Sequence, residues 1–203
     1  MRKGEQTKEH IVSQAAKLFN RQGFHGSSIS DIMRETGLRK GGIYNHFANK
    51  DELALEAFDY AVELMKERYL QAIAGKTSAC EQLISLFSVY HEIVENPPLE
   101  GGCPLLNTAI DTDDTHPALK EKARAAMDRW RGLLRSIIRS GIDTGEFRAD
   151  ADSESAITFL TAAFEGGVMI SKLYDNSEYM RVTVRQMAQY IKTELLVAGE
   201  RTL

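Results

Sequence analysis

A chain of 203 residues with 43% hydrophobic residues can bury a substantial core, and four prolines leave room for long helices. No uncharged run exceeds ten residues, and no apolar stretch follows the basic start MRKGEQTKEH, so neither a membrane span nor a secretory leader is expected. Two cysteines, Cys80 and Cys103, make neither a disulfide framework nor a metal set, which fits a reducing cytoplasm. The net charge of −4 conceals an asymmetry: residues 1–50 hold nine Lys and Arg against four acids, a surplus of five, and the remainder carries −9. A basic head on an acidic body suits a protein that approaches a polyanion in one orientation.

Apolar spacing reads as helical throughout. The first helix is expected at about 7–22, with Ile11, Ala15, Leu18 and Phe19 on its buried face and Gly23 closing it. Ser28 caps the second, with Asp31 three residues on and Ile29, Ile32 and Met33 inward. That helix stops at Gly37, and a third covers about 39–47, with Ile43 and Phe47 on its inner side. Asn49 and Glu52 cap a long fourth helix, about 50–73, which links the head to the body. Five more helices follow, near 78–95, 103–112, 117–141, 153–174 and 177–197. Their breaks are NPPLEGGCP, DTDDTHP, with Pro117 in a first helical turn, and DTGEFRADAD.

Residues 25–50 carry the chemistry. Two short helices around a glycine turn make a helix-turn-helix, whose second helix needs an apolar inner face and a small or polar outer edge. Arg39, Lys40, Gly41 and Gly42 form that leading edge. Two glycines opening a helix cost about 1 kcal/mol each relative to alanine, which is understandable if backbone must come close to a DNA edge. Tyr44 and His46 project on the solvent side and supply phosphate donors, and Lys50 opens the next helix, where backbone N–H groups also favour an anion.

The segment SSISDIMRETGLRKGGIYNHFANKDEL resembles the head of the TetR family of transcriptional regulators, through Gly37, Lys40-Gly41, Ile43-Tyr44, His46-Phe47, Lys50 and Glu52-Leu53. With the first helix the resemblance covers about residues 7–55; GCPLLN at 102–107 and the stretch DRWRGLLRSIIRSGIDTGEFR resemble one branch of that family. It implies an all-helical homodimer: a three-helix helix-turn-helix head, residues 1–50, on a larger C-terminal ligand-binding and dimerisation domain, residues 51–203. It also implies DNA contacts from Ser28, Arg39, Lys40, Gly42, Tyr44, His46 and Lys50, a double-stranded operator, a small-molecule effector and, in the family's usual mode, repression. Gly42 departs from the Ser, Thr or Ala common at its position, so a side-chain contact there is in question.

Two apolar stripes near the C-terminus are the dimerisation candidates: Ala156, Phe159, Leu160, Ala163, Gly167 and Ile170 on one helix, and Met180, Val184, Met187, Ile191 and Leu195 on the next. Two such helices per subunit make a four-helix bundle, although the same stripes also fit faces packed on the chain's own core. Phe87, Tyr90, His91, Cys103, Met127, Trp130, Phe164 and Met169 are candidate walls of an effector pocket, with plain core as the alternative for each. Cys103, after Gly101-Gly102 at a helix start, is also the candidate thiol of an oxidant or electrophile sensor.

Enzyme and cofactor readings fail. The HEIVE segment at 91–95 lacks the second histidine of a zinc helix, and Asp111, Asp113, Asp114 and His116 fail as a calcium loop because His116 and Lys122 stand at the glycine and bidentate-acid positions. There is no P-loop, dinucleotide glycine pattern or serine elbow, so no cofactor, metal or catalytic residue is expected. The remaining alternative to a regulator is a helical ligand-binding protein whose head no longer binds DNA.

Overall fold

Left-handed glycines and side-chain caps divide the chain into helices. The structure, a computed structural model, describes residues 3–95 and 99–197, without the side chains of 90–95. Within them run α1 (Lys3–Gln22), α2 (Ile29–Thr36), α3 (Lys40–Tyr44), α4 (Lys50–Ile73), α5 (Ala79–Glu95), α6 (Pro104–Asp111), α7 (Pro117–Asp143), α8 (Ser153–Leu173) and α9 (Glu178–Tyr190), the last continuing as a π-helical turn, Ile191–Leu195. The sequence places these elements to within a few residues, except that α1 is already formed at Lys3 and α3 is a turn shorter than expected.

The described residues fall into two compact units, and α4 and α7 contribute to both. Of the described residues, the first holds those up to Met65 and those from Leu99 to Met127; the second holds those from Lys66 to Glu95 and those from Asp128 on. This division differs from the expected boundary after residue 50. The reason is packing: α6 packs on α1, and the first half of α7 packs on the first half of α4 with Phe19 and Phe24 beside it.

The first unit has two clusters. One gathers Ile11, Ala15, Leu18, Ile32, Ile43, Phe47, Leu53 and Ala57 from α1 to α4; the other joins Ala54 and Phe58 to Leu119, Ala123 and Ala126 of α7. Each large side chain so buried contributes about 1.5–3 kcal/mol. Polar bonds then fix α6. The Asn107 amide donates to the Asn20 carbonyl (3.0 Å) and to Gly101 O (2.8 Å), and the Asn20 amide donates to Glu100 O (2.8 Å) and Gly102 O (3.0 Å). Gly101 has φ +111, and a Cβ there would lie 2.4 Å from Asn20 O, so only glycine fits.

In the second unit, Phe87 of α5, Trp130 of α7 and Phe164 of α8 form an aromatic cluster, with centroids 5.6–6.1 Å apart, and Tyr69 lies 4.9 Å from Trp130. The Trp130 indole N–H donates to Thr161 Oγ1 at 3.3 Å. Glu146 caps α5 from the α7–α8 loop, its carboxylate accepting from Ser78 Oγ and the N–H groups of Ala79 and Cys80 at 2.6–3.0 Å. Next to it, Phe147 pairs with Leu196 in an antiparallel bridge. Helix α8 is long and apolar enough to cross a membrane by length and composition alone, despite the charges that interrupt it; its inner face is committed to packing on α9.

That packing corrects the pairing stripes. Leu160, Gly167, Val184, Met187 and Ile191, expected at a dimer surface, are buried within their own subunit, as are Ala156, Met180 and Leu195. A Cβ on Gly167 would meet Met180 Sδ at 2.8 Å, so this glycine serves the contact between α8 and α9 of one chain. Of the expected set, Phe159 is exposed (46%) and Ala163 is half-buried. The outer face instead carries Phe159, Met169, Leu173 and Tyr174 of α8 and its end, with Tyr179 and Val182 of α9. Gly166 lies between them with nothing within 4 Å of its Cβ direction.

Candidate nucleic-acid interface

The recognition element stands on buried supports. Ser28 caps α2 reciprocally: its Oγ accepts the Asp31 N–H (3.2 Å), and Asp31 accepts the Ser28 N–H (2.9 Å) and hydroxyl (2.6 Å). These bonds, the Ser28 hydroxyl foremost, hold the Asp31 carboxyl below its usual range, at about 2. Gly37 adopts the left-handed conformation that ends α2 (φ 70), and Arg39 is the residue before α3. Ile43 and Phe47 then anchor α3, 1% and 2% exposed. Asn49 Oδ1 accepts the Glu52 N–H (2.8 Å) and Glu52 accepts the Ala48 N–H (2.6 Å), fixing the start of α4.

With those anchors set, the opposite side of α3 is open. Arg39, Lys40, Gly41 and Tyr44 are exposed, the last at 40%; Gly42 and His46 are half-buried. Lys40 Nζ lies 5.6 Å from the Tyr44 ring centroid, a cation–π pair that holds both outward. Neither glycine has a left-handed φ; a Cβ on Gly41 would meet nothing within 4 Å, and one on Gly42 only the Leu38 side chain at 3.5 Å or more. The chain's own packing therefore does not require glycine at either position.

Two expected contacts are engaged internally. Lys50 donates to the Phe24 carbonyl at 2.5 Å and lies 4.0 Å from the Phe24 ring centroid, and desolvation there lowers its pKa. The Ser28 hydroxyl is turned to Asp31. Each must exchange an internal partner to reach a phosphate. One exposed amide was missed: Asn45, the residue closing α3, sits between Tyr44 and His46. Its signal was its place within the outward run 44–46, which charge and aromaticity overshadowed.

The expected effector residues do not converge. Phe87, Trp130 and Phe164 do meet, whereas Met169 faces outward (51% exposed) and Cys103 and Met127 belong to the first unit. The side chains of Tyr90 and His91 lie outside the described residues. The thiol-sensor reading is not supported. Cys103 is buried at the start of α6, and Cys80 is buried too, its thiol pushed up mainly by desolvation, whereas a reactive cysteine needs access and a lowered pKa.

Comparison with known proteins agrees with this geometry. The family described as bacterial regulatory proteins, tetR family, matches residues 11–57, and the tetracyclin repressor-like C-terminal domain matches residues 79–187. The HTH-type transcriptional regulator LmrA of Bacillus subtilis is 30% identical over 183 residues, which cover 84% of this chain and 89% of that protein. A TetR transcriptional regulator from Chloroflexus aurantiacus superposes with a TM-score of 0.94 at 43% identity, covering 98% of this chain and all of that one (100%). A TetR-family regulator from Cytophaga hutchinsonii gives 0.90 at 32% identity, covering 97% and 98%. An all-helical chain with a helix-turn-helix at its N-terminal end and these relatives along nearly its whole length belongs to the TetR family of transcriptional regulators.

Proposed function

We propose that the protein is a homodimeric one-component repressor that holds a near-palindromic DNA operator and is released by a small-molecule effector. The observation that carries this reading is the open edge of α3, where two cations and two glycines precede an outward tyrosine on an element anchored by Ile43 and Phe47. Such an edge fits the major groove, and two copies read half-sites about one helical turn apart or somewhat more. Lys40, Tyr44 and His46, with Lys50 and Ser28 once they leave Phe24 and Asp31, are the phosphate-side contacts. The outer face of α8 and α9 is the proposed pairing surface, and a bacterial cytoplasm is the proposed location.

The proposed effector site is the cluster of Phe87, Trp130 and Phe164, apolar groups with one indole N–H that a ligand would take over from Thr161 Oγ1. An effector can shift the equilibrium only through its different affinity for DNA-competent and incompetent states. Trp130 is the single tryptophan, so its fluorescence reports on occupancy directly.

Selection of bound sequences from random DNA, followed by salt titration of the winner, tests the reading. An enriched near-palindrome whose affinity falls steeply with salt is expected, since phosphate contacts release counterions. Failure to enrich any sequence, or binding indifferent to salt, refutes it.

A further inference from the structure

We propose that Arg39 is the specificity-determining residue of the recognition element and reads a guanine through the O6 and N7 of its major-groove edge. The assignment rests on the DNA-binding reading above and says which base the protein recognises and with which side chain.

Among the cations of α2, α3 and the start of α4, three are engaged. Arg34 pairs with Asp31 at 2.8 Å, Lys40 lies over the Tyr44 ring, and Lys50 donates to the Phe24 carbonyl. Arg39, among the described residues, shows no ion pair, hydrogen bond or ring partner, and it is exposed. Its backbone is extended (φ −79, ψ 160) immediately before the first turn of α3, and its side chain makes no capping bond. The guanidinium is therefore uncommitted, at the end of the recognition helix from which base edges are read.

The residues that follow narrow the choice. Gly41 and Gly42 have no side chain to offer a base, but their open Cβ directions let the start of α3 come close to the groove, within reach of the long Arg39 side chain just before that helix. Lys40 is a compact point charge held beside an aromatic face, better suited to a phosphate. Arg39 alone there carries a planar fork of donors that matches the two adjacent acceptors of guanine, the commonest specific contact in the major groove.

The test uses the full chain and the operator selected by the wild type. Each guanine is replaced in turn by the other bases, and then by 7-deazaguanine, which lacks N7 and keeps O6. Wild-type affinity should fall about five- to 150-fold at one symmetry-related pair of positions. Arg39→Ala should bind with lower affinity yet be indifferent at that pair, and Arg39→Lys should recover affinity without recovering the preference. Thermal unfolding of both variants should match the wild type, because the side chain has no internal partner to lose. A variant that keeps every base preference and loses affinity equally on all sequences, with a shallower salt dependence, makes Arg39 a phosphate contact and overturns the assignment alone. A wild type that enriches no sequence overturns both the assignment and the regulator reading beneath it.

Discussion

The Asp111 carboxylate accepts the backbone N–H of Phe24 at 2.6 Å and that of His25 at 3.4 Å. The last residue of α6 thus satisfies two donors in the turn between α1 and α2, 87 and 86 positions away in the chain. On its other side the Phe24 carbonyl holds Lys50, so one peptide segment joins α6 to the start of α4 within the first unit. The space is tight: a Cβ on Gly23 would lie 3.0 Å from an Asp111 oxygen, and Gly23 has φ +79. Removing the carboxylate leaves the part-buried Phe24 N–H without its acceptor. Asp111→Ala should therefore cost about 1–2 kcal/mol of stability, with Asp111→Asn recovering part of it. Urea denaturation followed by circular dichroism measures this, and an unchanged midpoint for Asp111→Ala would show the bond to be dispensable.

The glycine pair gives a sharper separation of stability from function. Alanine fits at Gly41 and Gly42 without a clash, and helix propensity favours it by about 1 kcal/mol per residue. Gly41→Ala and Gly42→Ala should melt no lower than the wild type, and should bind the operator more weakly because a methyl holds the backbone off the groove. Parallel thermal melts and fluorescence-anisotropy titrations test this. Alanine variants that bind as well as the wild type would leave the two glycines without a role in close approach.

The acid response of α2 follows from its cap. Asp31 has a folded pKa of about 2 against an ordinary 3.8, depressed chiefly by the Ser28 hydroxyl, then by the Ser28 N–H and by Arg34. A depressed carboxylate stabilises the fold above its unfolded pKa, and the contribution is lost as pH falls through 3.8 towards 2. The start of α2 should accordingly loosen in acid over that window and be indifferent to pH near neutrality. Side-chain carboxyl NMR of Asp31 should show the low titration point, and Ser28→Ala should move it back up towards the ordinary value. A titration near 3.8 in the wild type would mean that the reciprocal cap is not formed in solution.

How much of this was legible beforehand depends on the kind of signal. Short-range chemistry was fully written in the sequence: Ser28 with Asp31, Asn49 with Glu52 and Pro117 each mark a helix start that the structure places nearby. The outward edge of α3 followed from the inward spacing of Ile43 and Phe47. What escaped was set by distant partners. Nothing local in GGCPLLNTAID says that Asn107 will bond Asn20 or that Asp111 will bond Phe24. Lys50 reads as a free cation until its partner carbonyl 26 residues upstream is in view. A helix that is apolar on two faces, as α8 is, has no periodicity that tells inside from outside, and the stripe assigned to dimerisation was the inner one.

That last correction changes what substitution at each stripe should do. Leu160 has no exposed surface, so Leu160→Asp places a carboxylate in the core of the second unit, where it must be desolvated without a partner. It should collapse the fold of the subunit rather than part a dimer. Met169 and Leu173, exposed at 51% and 71% on the face that also presents Phe159 and the open Gly166, can take aspartate without disturbing their own chain. Met169→Asp with Leu173→Asp should leave helicity and melting close to the wild type while shifting the protein to monomer in sedimentation velocity. Operator affinity should fall in step, because two linked heads bind with an effective concentration that one head lacks. A double variant that still sediments as the wild-type species would exclude the outer face of α8 from the pairing surface.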